Sequence, residues 1–203
     1  MDWVILLQAF LYFCISVLGF FVCIPVAVNR SNLDGVCFLY ADVTGGFAVW
    51  YVSGSASSTC NFPIYFGVSG MVIVGLLAGL CFGYFAQQSR KDKEIGSRMW
   101  TLPFIPLNAV LTVFTLVVAC ILSVGIKLFC DEFESNGCET LEHNEKTRAF
   151  PLLSSLSQAG AWIGFLLYLI QTGISVLRFF LNRRLRQNKS KEKKPAPDDI
   201  AFC

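Results

Sequence analysis

Four stretches of the chain stay apolar for long enough to cross a bilayer, over about 4–28, 62–86, 102–126 and 151–177. A helix rises ~1.5 Å per residue, so about 20 apolar residues cross the hydrocarbon core. The first two stretches hold no Asp, Glu, Lys, Arg or His. Periodicity does not separate a buried helix from a lipid-facing one, but length does, since soluble core helices rarely run uncharged so far. The pattern predicts a membrane all-α protein: a four-transmembrane-helix bundle over residues 1–181 and a disordered basic tail over 182–203. The loops fall at 29–61, 87–100 and 127–150. In the first, Val36 to Val43 is rich in strand formers, Thr44-Gly45-Gly46 supplies a turn, and Phe47 to Val52 is a second strand run. Two such runs around a Gly-Gly turn predict a β-hairpin.

Composition agrees: 55% of the 203 residues are hydrophobic and 15% charged, against ~25% charged in an ordinary soluble domain. The net charge of +2 gives no reason to expect a nucleic-acid partner. Its distribution sets an orientation. The loop at 87–100 carries Arg90, Lys91, Lys93 and Arg98, and the tail carries Arg183, Arg184, Arg186, Lys189, Lys191, Lys193 and Lys194. The first loop has only Arg30, and residues 131–150 set Lys146 and Arg148 against six acids. The basic loop and tail are therefore expected in the cytosol with both termini, and the tail is expected to attract anionic inner-leaflet lipids. The start, Met1-Asp2-Trp3, lacks a basic n-region, so the first span reads as an uncleaved anchor. A plasma membrane and a secretory-pathway membrane fit equally.

The cysteines fit that topology. Cys14, Cys23, Cys81 and Cys120 lie within spans and read as packing residues. Cys37 and Cys60 bracket the first outer loop, and Cys130 and Cys138 lie at the second, which suits an oxidising compartment. Pairing within each loop is expected, Cys37–Cys60 and Cys130–Cys138, with cross-loop pairing as the alternative. The lone His143 sits among acids and reads as solvated. No metal site and no cofactor are expected. Asn29-Arg30-Ser31 matches a glycosylation acceptor, placed almost at the membrane.

Charge is missing from the membrane interior, where it would mark an ion path or proton relay. Lys127 and Arg178 stand at span ends and are expected to snorkel outward. Gly75, Gly79 and Gly83 recur every four residues, and Gly160 and Gly164 repeat the spacing. Such glycines let backbones approach, either inside the bundle or against another membrane protein. Phe47, Trp50 and Tyr51 make the outer hairpin either a cap over the bundle or a recognition surface, since aromatic residues are enriched at interfaces.

Several segments, in order, resemble the transmembrane protein 179 family of claudin-like four-span proteins. They are Ile24-Pro25-Val26, Gly35-Val36-Cys37-Phe38-Leu39-Tyr40, Cys60-Asn61-Phe62, Ala119 through Gly125, Phe129-Cys130-Asp131, and Gln158-Ala159-Gly160-Ala161-Trp162. The resemblance implies a left-handed four-helix bundle with a small outer β-sheet, and it carries no mechanism. The chain departs from claudins proper in lacking their Gly-Leu-Trp stretch and closely spaced cysteines, so junction strands are not implied. Three functions follow as expectations. The first is a non-enzymatic accessory or organising partner of another membrane protein. The second is a self-associating adhesion or barrier protein. The third and weakest is a small membrane enzyme using Arg90, Lys91 and Arg98.

Overall fold

The structure is a computed structural model that describes residues 3–46, 49–89, 103–132 and 148–192. The elements are α1 (Trp3–Asn32), β1 (Cys37–Gly46), β2 (Val49–Ser55), α2 (Ser57–Gln88), α3 (Phe104–Asp131) and α4 (Phe150–Glu192). All four helices are long and apolar enough to span a membrane. Each extends past its apolar window into polar residues that a hydropathy reading stops at, such as Asn29–Asn32 of α1 and Ser57–Asn61 of α2. The protein is a four-helix integral membrane bundle with a two-stranded antiparallel sheet between α1 and α2.

Helix α1 is central, with α2 on one side and α4 on the other; α3 packs on α4 and under β1. The start of α1 meets the end of α4 and the start of α3, while its last turns meet the start of α4. The start of α1 and the end of α4 therefore lie at one end of the bundle, and the sheet lies at the other. Aromatic side chains fill the seam between α2 and α3. Phe62 and Phe66 pack on Phe114 at centroid distances of 6.3 and 6.0 Å, and Phe82 packs edge-on to Phe104 at 5.0 Å.

Helix α2 is not uniform. From Gly67 to Ile73 it winds as a π-helix. Tyr168 Oη of α4 donates to Gly70 O at 2.5 Å, and Ser16 Oγ of α1 donates to Val72 O at 3.2 Å. A carbonyl has two lone pairs, so each can take a side-chain donor besides its helical one.

Two expectations need correction here. Thr44, Gly45 and Gly46 are not the hairpin turn. They are strand, paired with Tyr51, Trp50 and Val49, and residues 47–48 between the strands lie outside the described residues. The tail expected to be disordered from residue 182 instead continues α4 to Glu192. Residues 182–192 contain good helix formers (Arg, Leu, Gln, Lys, Glu) and no Gly or Pro before Pro195, so nothing local stops the helix.

Candidate functional site

The sheet end is built by a bulge. Cys37 pairs with Ser55, and the next pair is Asp42 with Ser53. Five steps on β1 thus face two on β2, and the surplus residues drop out of the ladder toward the helices. Phe38, Leu39 and Ala41 are all buried. The Phe38 ring stands edge-on to Phe150 at 5.2 Å and to Phe129 at 6.1 Å, wedged between α4 and α3. Leu39 seats on Gly125, where an added Cβ would come within 3.0 Å of Leu39 Cδ2. The peptide turns through Tyr40 at φ +60°, a left-handed conformation rare for an aromatic residue. Opposite the bulge stands Gly54, where any Cβ would strike Val36 Cγ1.

Two further ties hold the sheet. Cys37 and Cys60 form the expected disulfide, with Cα atoms 5.7 Å apart, and join β1 to α2. Arg30 ends α1 by donating from Nε to Gly35 O at 3.0 Å and from Nη1 to Asn61 Oδ1. Gly35, at φ +83°, returns its N–H to Arg30 O at 3.0 Å, the left-handed close that glycine permits after a helix. The sheet is thus fastened to α1, α2, α3 and α4. Trp50 and Tyr51 lie on β2 opposite Gly45 and Thr44. Phe47 lies outside the described residues. Cys130 is disulfide-bonded, and its expected partner Cys138 lies outside the described residues, as does His143. Cys81 is also disulfide-bonded, which corrects its reading as a plain packing residue.

The glycines separate by position. A Cβ on Gly75 would lie 3.0 Å from Ser16 N and Tyr12 O, so this glycine lets α2 rest on the backbone of α1. At Gly79 the same atom finds ordinary contacts at 3.5–3.6 Å, and at Gly83 it meets nothing within 4 Å. Gly160 approaches Phe21 of α1 at 3.3 Å, and Gly164 faces the flexible Met71 Cε at 2.5 Å. Gly19 is tighter than any of the Gly75, Gly79 and Gly83 row, at 2.9 Å from Gly67 O, and it has no glycine four residues away to mark it.

Polar side chains clasp the helices at both ends. At the tail end, Gln8 Nε2 donates to Ser175 Oγ at 3.3 Å, and Gln171 Nε2 to Gln8 O at 2.8 Å. Tyr12 Oη donates to Asn108 Oδ1 at 2.8 Å. Arg178 does not snorkel outward as expected. It is 8% exposed and donates from Nη1 to Gln8 Oε1. A guanidinium in an apolar setting needs acceptors, and Gln8 supplies one inside the bundle. At the sheet end, Asn29 is 1% exposed and donates from Nδ2 to Ser154 Oγ at 3.1 Å. A glycan has no room on an amide that is helical, buried and bonded in the fold. Gln8, Asn108 and Gln171 stand out in the sequence as polar residues within apolar spans, but nothing local shows which helix each one meets.

Among the described residues, no three His, Cys, Asp or Glu side chains are grouped to hold a metal ion. No solved structure matches the chain. The family model described as the Transmembrane protein 179/179B Claudin domain matches residues 4–197, from the first turn of α1 past the end of α4, and the chain therefore belongs to that family of claudin-like multi-pass membrane proteins.

Proposed function

We propose that this protein is a non-enzymatic accessory or organising subunit that binds another membrane protein through its sheet. The observation that carries the reading is the way the sheet is held. A lone two-stranded hairpin is marginal in water. This one is fixed by a disulfide, by the Phe38–Leu39 wedge and by Arg30. Such pre-organisation lowers the entropy lost on binding a partner. The polar side chains inside the bundle favour the same reading, since most are spent on joining one helix to another. Charge in the loops supports a sheet facing outward or into a lumen, with both termini cytosolic and the basic end of α4 near anionic lipids.

The row Gly75, Gly79 and Gly83 contributes little to an external docking face, because Gly75 is occupied by α1. The test is purification of the tagged protein in mild detergent from cells that express it, with mass spectrometry and sizing. A stoichiometric membrane partner that is lost with Trp50→Ala and Tyr51→Ala, and kept with Gly83→Leu, supports the reading. A clean monomer or homo-oligomer overturns it.

Membership of a claudin-domain family favours a second reading, self-association across or within a membrane. Aggregation of otherwise non-adherent cells on expression would establish that one instead.

A further inference from the structure

The sequence holds nine cysteines. Cys14, Cys23 and Cys120 are free thiols, and Cys37 and Cys60 bond each other. Cys81 and Cys130 are each disulfide-bonded. Two cysteines remain, Cys138 and Cys203, and both lie outside the described residues. Cys81 and Cys130 therefore either join each other or take these two as partners.

Position decides the pairing. Cys81 lies toward the tail end of the bundle, since its neighbour Phe82 packs on Tyr12 of α1 and on Phe104 at the start of α3. Cys130 lies near the other end of α3, ~39 Å from Phe104 at 1.5 Å per residue. Disulfide-bonded Cα atoms are about 6 Å apart, so Cys81 and Cys130 do not join. Cys138 follows Asp131 by seven residues, which reach ~25 Å when fully extended. That falls short of Cys81, and it would draw Glu132 and Glu134 through hydrocarbon, where irregular backbone exposed to lipid is not tolerated. Cys203 has the reach. Arg178 of α4 meets Gln8 of α1, and the adjacent Ala9 meets Gly79 of α2, so Arg178 and Cys81 stand at similar height. Glu192 is ~21 Å beyond Arg178 along α4. The return to Cys81 covers that height and two helix spacings of ~10 Å, about 30 Å in a straight line. The eleven residues from Glu192 to Cys203 span ~36 Å when extended.

The membrane adds a second observation. Cys37, Cys60 and Cys130 lie at the sheet end, and Cys81 lies toward the opposite face. Disulfides persist in oxidising compartments and are rare in the cytosol. Bonds near opposite faces of one membrane cannot both meet the oxidising side. Whichever way the protein is inserted, one of them lies toward the reducing side, and the loop charges assign that place to Cys81. Burial agrees. Cys37 and Cys60 are 2% and 0% exposed, whereas Cys81 is only partly buried, and a bond within reach of small thiols is the labile kind.

We propose that Cys81 and Cys203 form a reversible disulfide that ties the segment after α4 back to α2, while Cys130 pairs with Cys138 as a structural bond. A small thiol such as glutathione opens the tie. Its sulfur attacks one sulfur of the bond, forming a mixed disulfide and releasing the other cysteine as a thiol. A second glutathione displaces the first as glutathione disulfide and leaves both cysteines reduced. A peroxide closes the tie again: the two thiols become a disulfide, and hydrogen peroxide is reduced to two waters. The proposal does not depend on the existence of a partner protein.

Mass spectrometry of the full chain in lipid vesicles tests it, with any tag at the N-terminus. The vesicles are oxidised with hydrogen peroxide, denatured with a maleimide present, and digested without reductant. The expected product joins a fragment holding Cys81 to one holding Cys203, from a protein that runs as a monomer on a non-reducing gel. Cys203→Ser is expected to abolish that product and open Cys81 to the maleimide, with the Cys37–Cys60 link intact. Cys81→Ser, read at Cys203, gives the same answer if the first variant loses its monodispersity. Cys203 recovered alkylated after oxidation, joined to another cysteine, or joined to a second chain overturns the pairing. A reducing glutathione buffer, applied before the maleimide, then tests reversibility. The Cys81–Cys203 link is expected to be lost and the Cys37–Cys60 link to remain. Loss of both links, or of neither, overturns the switch.

Discussion

Alanine substitution along one row of glycines should change sign within the row. Relieving glycine's conformational freedom stabilises a helix interior by at most about 0.5–1 kcal/mol, and by less when the unfolded reference keeps its helices. Against this stands what each new Cβ meets. At Gly75 it lies 3.0 Å from two backbone atoms of α1, where ordinary contact begins near 3.4 Å. Neither atom is the end of a flexible side chain, so α1 and α2 must part by roughly half an ångström, which forfeits about a quarter of each dispersion contact along the seam. With the usual cost of overpacking, Gly75→Ala should destabilise by about 1–2 kcal/mol. Gly19→Ala should cost more, about 2–3 kcal/mol, because its Cβ would lie 2.8–2.9 Å from Val72 Cγ2, Gly67 O and Met71 Cβ. Gly79→Ala should be close to neutral, and Gly83→Ala neutral or stabilising by up to about 0.5 kcal/mol. Reversible unfolding in mixed micelles, titrated with a denaturing detergent and followed by Trp fluorescence, gives the four values on one scale. If Gly83→Ala costs as much as Gly75→Ala, the close packing of α2 on α1 at Gly75 is wrong.

Three further outcomes are expected. Phe38→Ala should cost about 3–5 kcal/mol, the usual range for a buried phenylalanine, and should release the hairpin to limited proteolysis while the helices stay protected; equal protection of the hairpin would contradict the wedge. Asn29→Gln should leave electrophoretic mobility and glycosidase sensitivity unchanged, because a glycan has no room at the buried Asn29, whereas Asn29→Leu should lower stability by about 1 kcal/mol through loss of the Ser154 bond. Gln8→Leu, measured in the same unfolding assay, should destabilise by about 1–3 kcal/mol, the range for a bond to a charged group, since it removes an acceptor of the inward-turned Arg178; a silent Gln8→Leu would place the guanidinium elsewhere.

Span length and the absence of charge made the four helices readable from sequence, because a bilayer leaves few alternatives to ~20 apolar residues. The hairpin and its disulfide were readable for a similar reason: strand formers bracketed by cysteines in a loop between spans. The bulge was not read, yet a signal for it exists. Phe38-Leu39-Tyr40-Ala41 breaks the alternation of a half-buried strand, and a run of successive apolar residues in an otherwise exposed hairpin has to leave the ladder to be buried. The inward turn of Arg178 and the burial of Asn29 went unread for a different reason. Depth can be read from the chain, but direction around a helix axis is set by partners such as Gln8 and Ser154, far away in sequence. The helical end of α4 shows propensity acting where an excess of charge had been taken to mean disorder.

The glycines show what the π segment does for the packing of α2 on α1. Gly67 contacts Cys23 on α1, and Gly75 contacts Ser16 and Tyr12 of the same helix. They are eight residues apart, and in an unbroken α-helix that spacing puts them about 80° from a common line. Held that far apart, the two could not both lie against α1 unless it crossed α2 at a steep angle. The extra residue of the π segment reduces the effective spacing to seven, which leaves about 20° between them. The wide turn therefore brings Gly67 and Gly75 onto one seam, and Gly19 faces Gly67 across it. A scan for glycines every four residues finds Gly75, Gly79 and Gly83 and stops there, since residue 71 is Met. The seam that holds α1 to α2 runs instead through Gly67 and Gly75, joined by a change of helical pitch that no residue spacing records. A variant that adds a residue between these two glycines should then disturb the α1–α2 seam through helix phase, whereas one that removes a residue and leaves plain α-helix should keep both glycines on it.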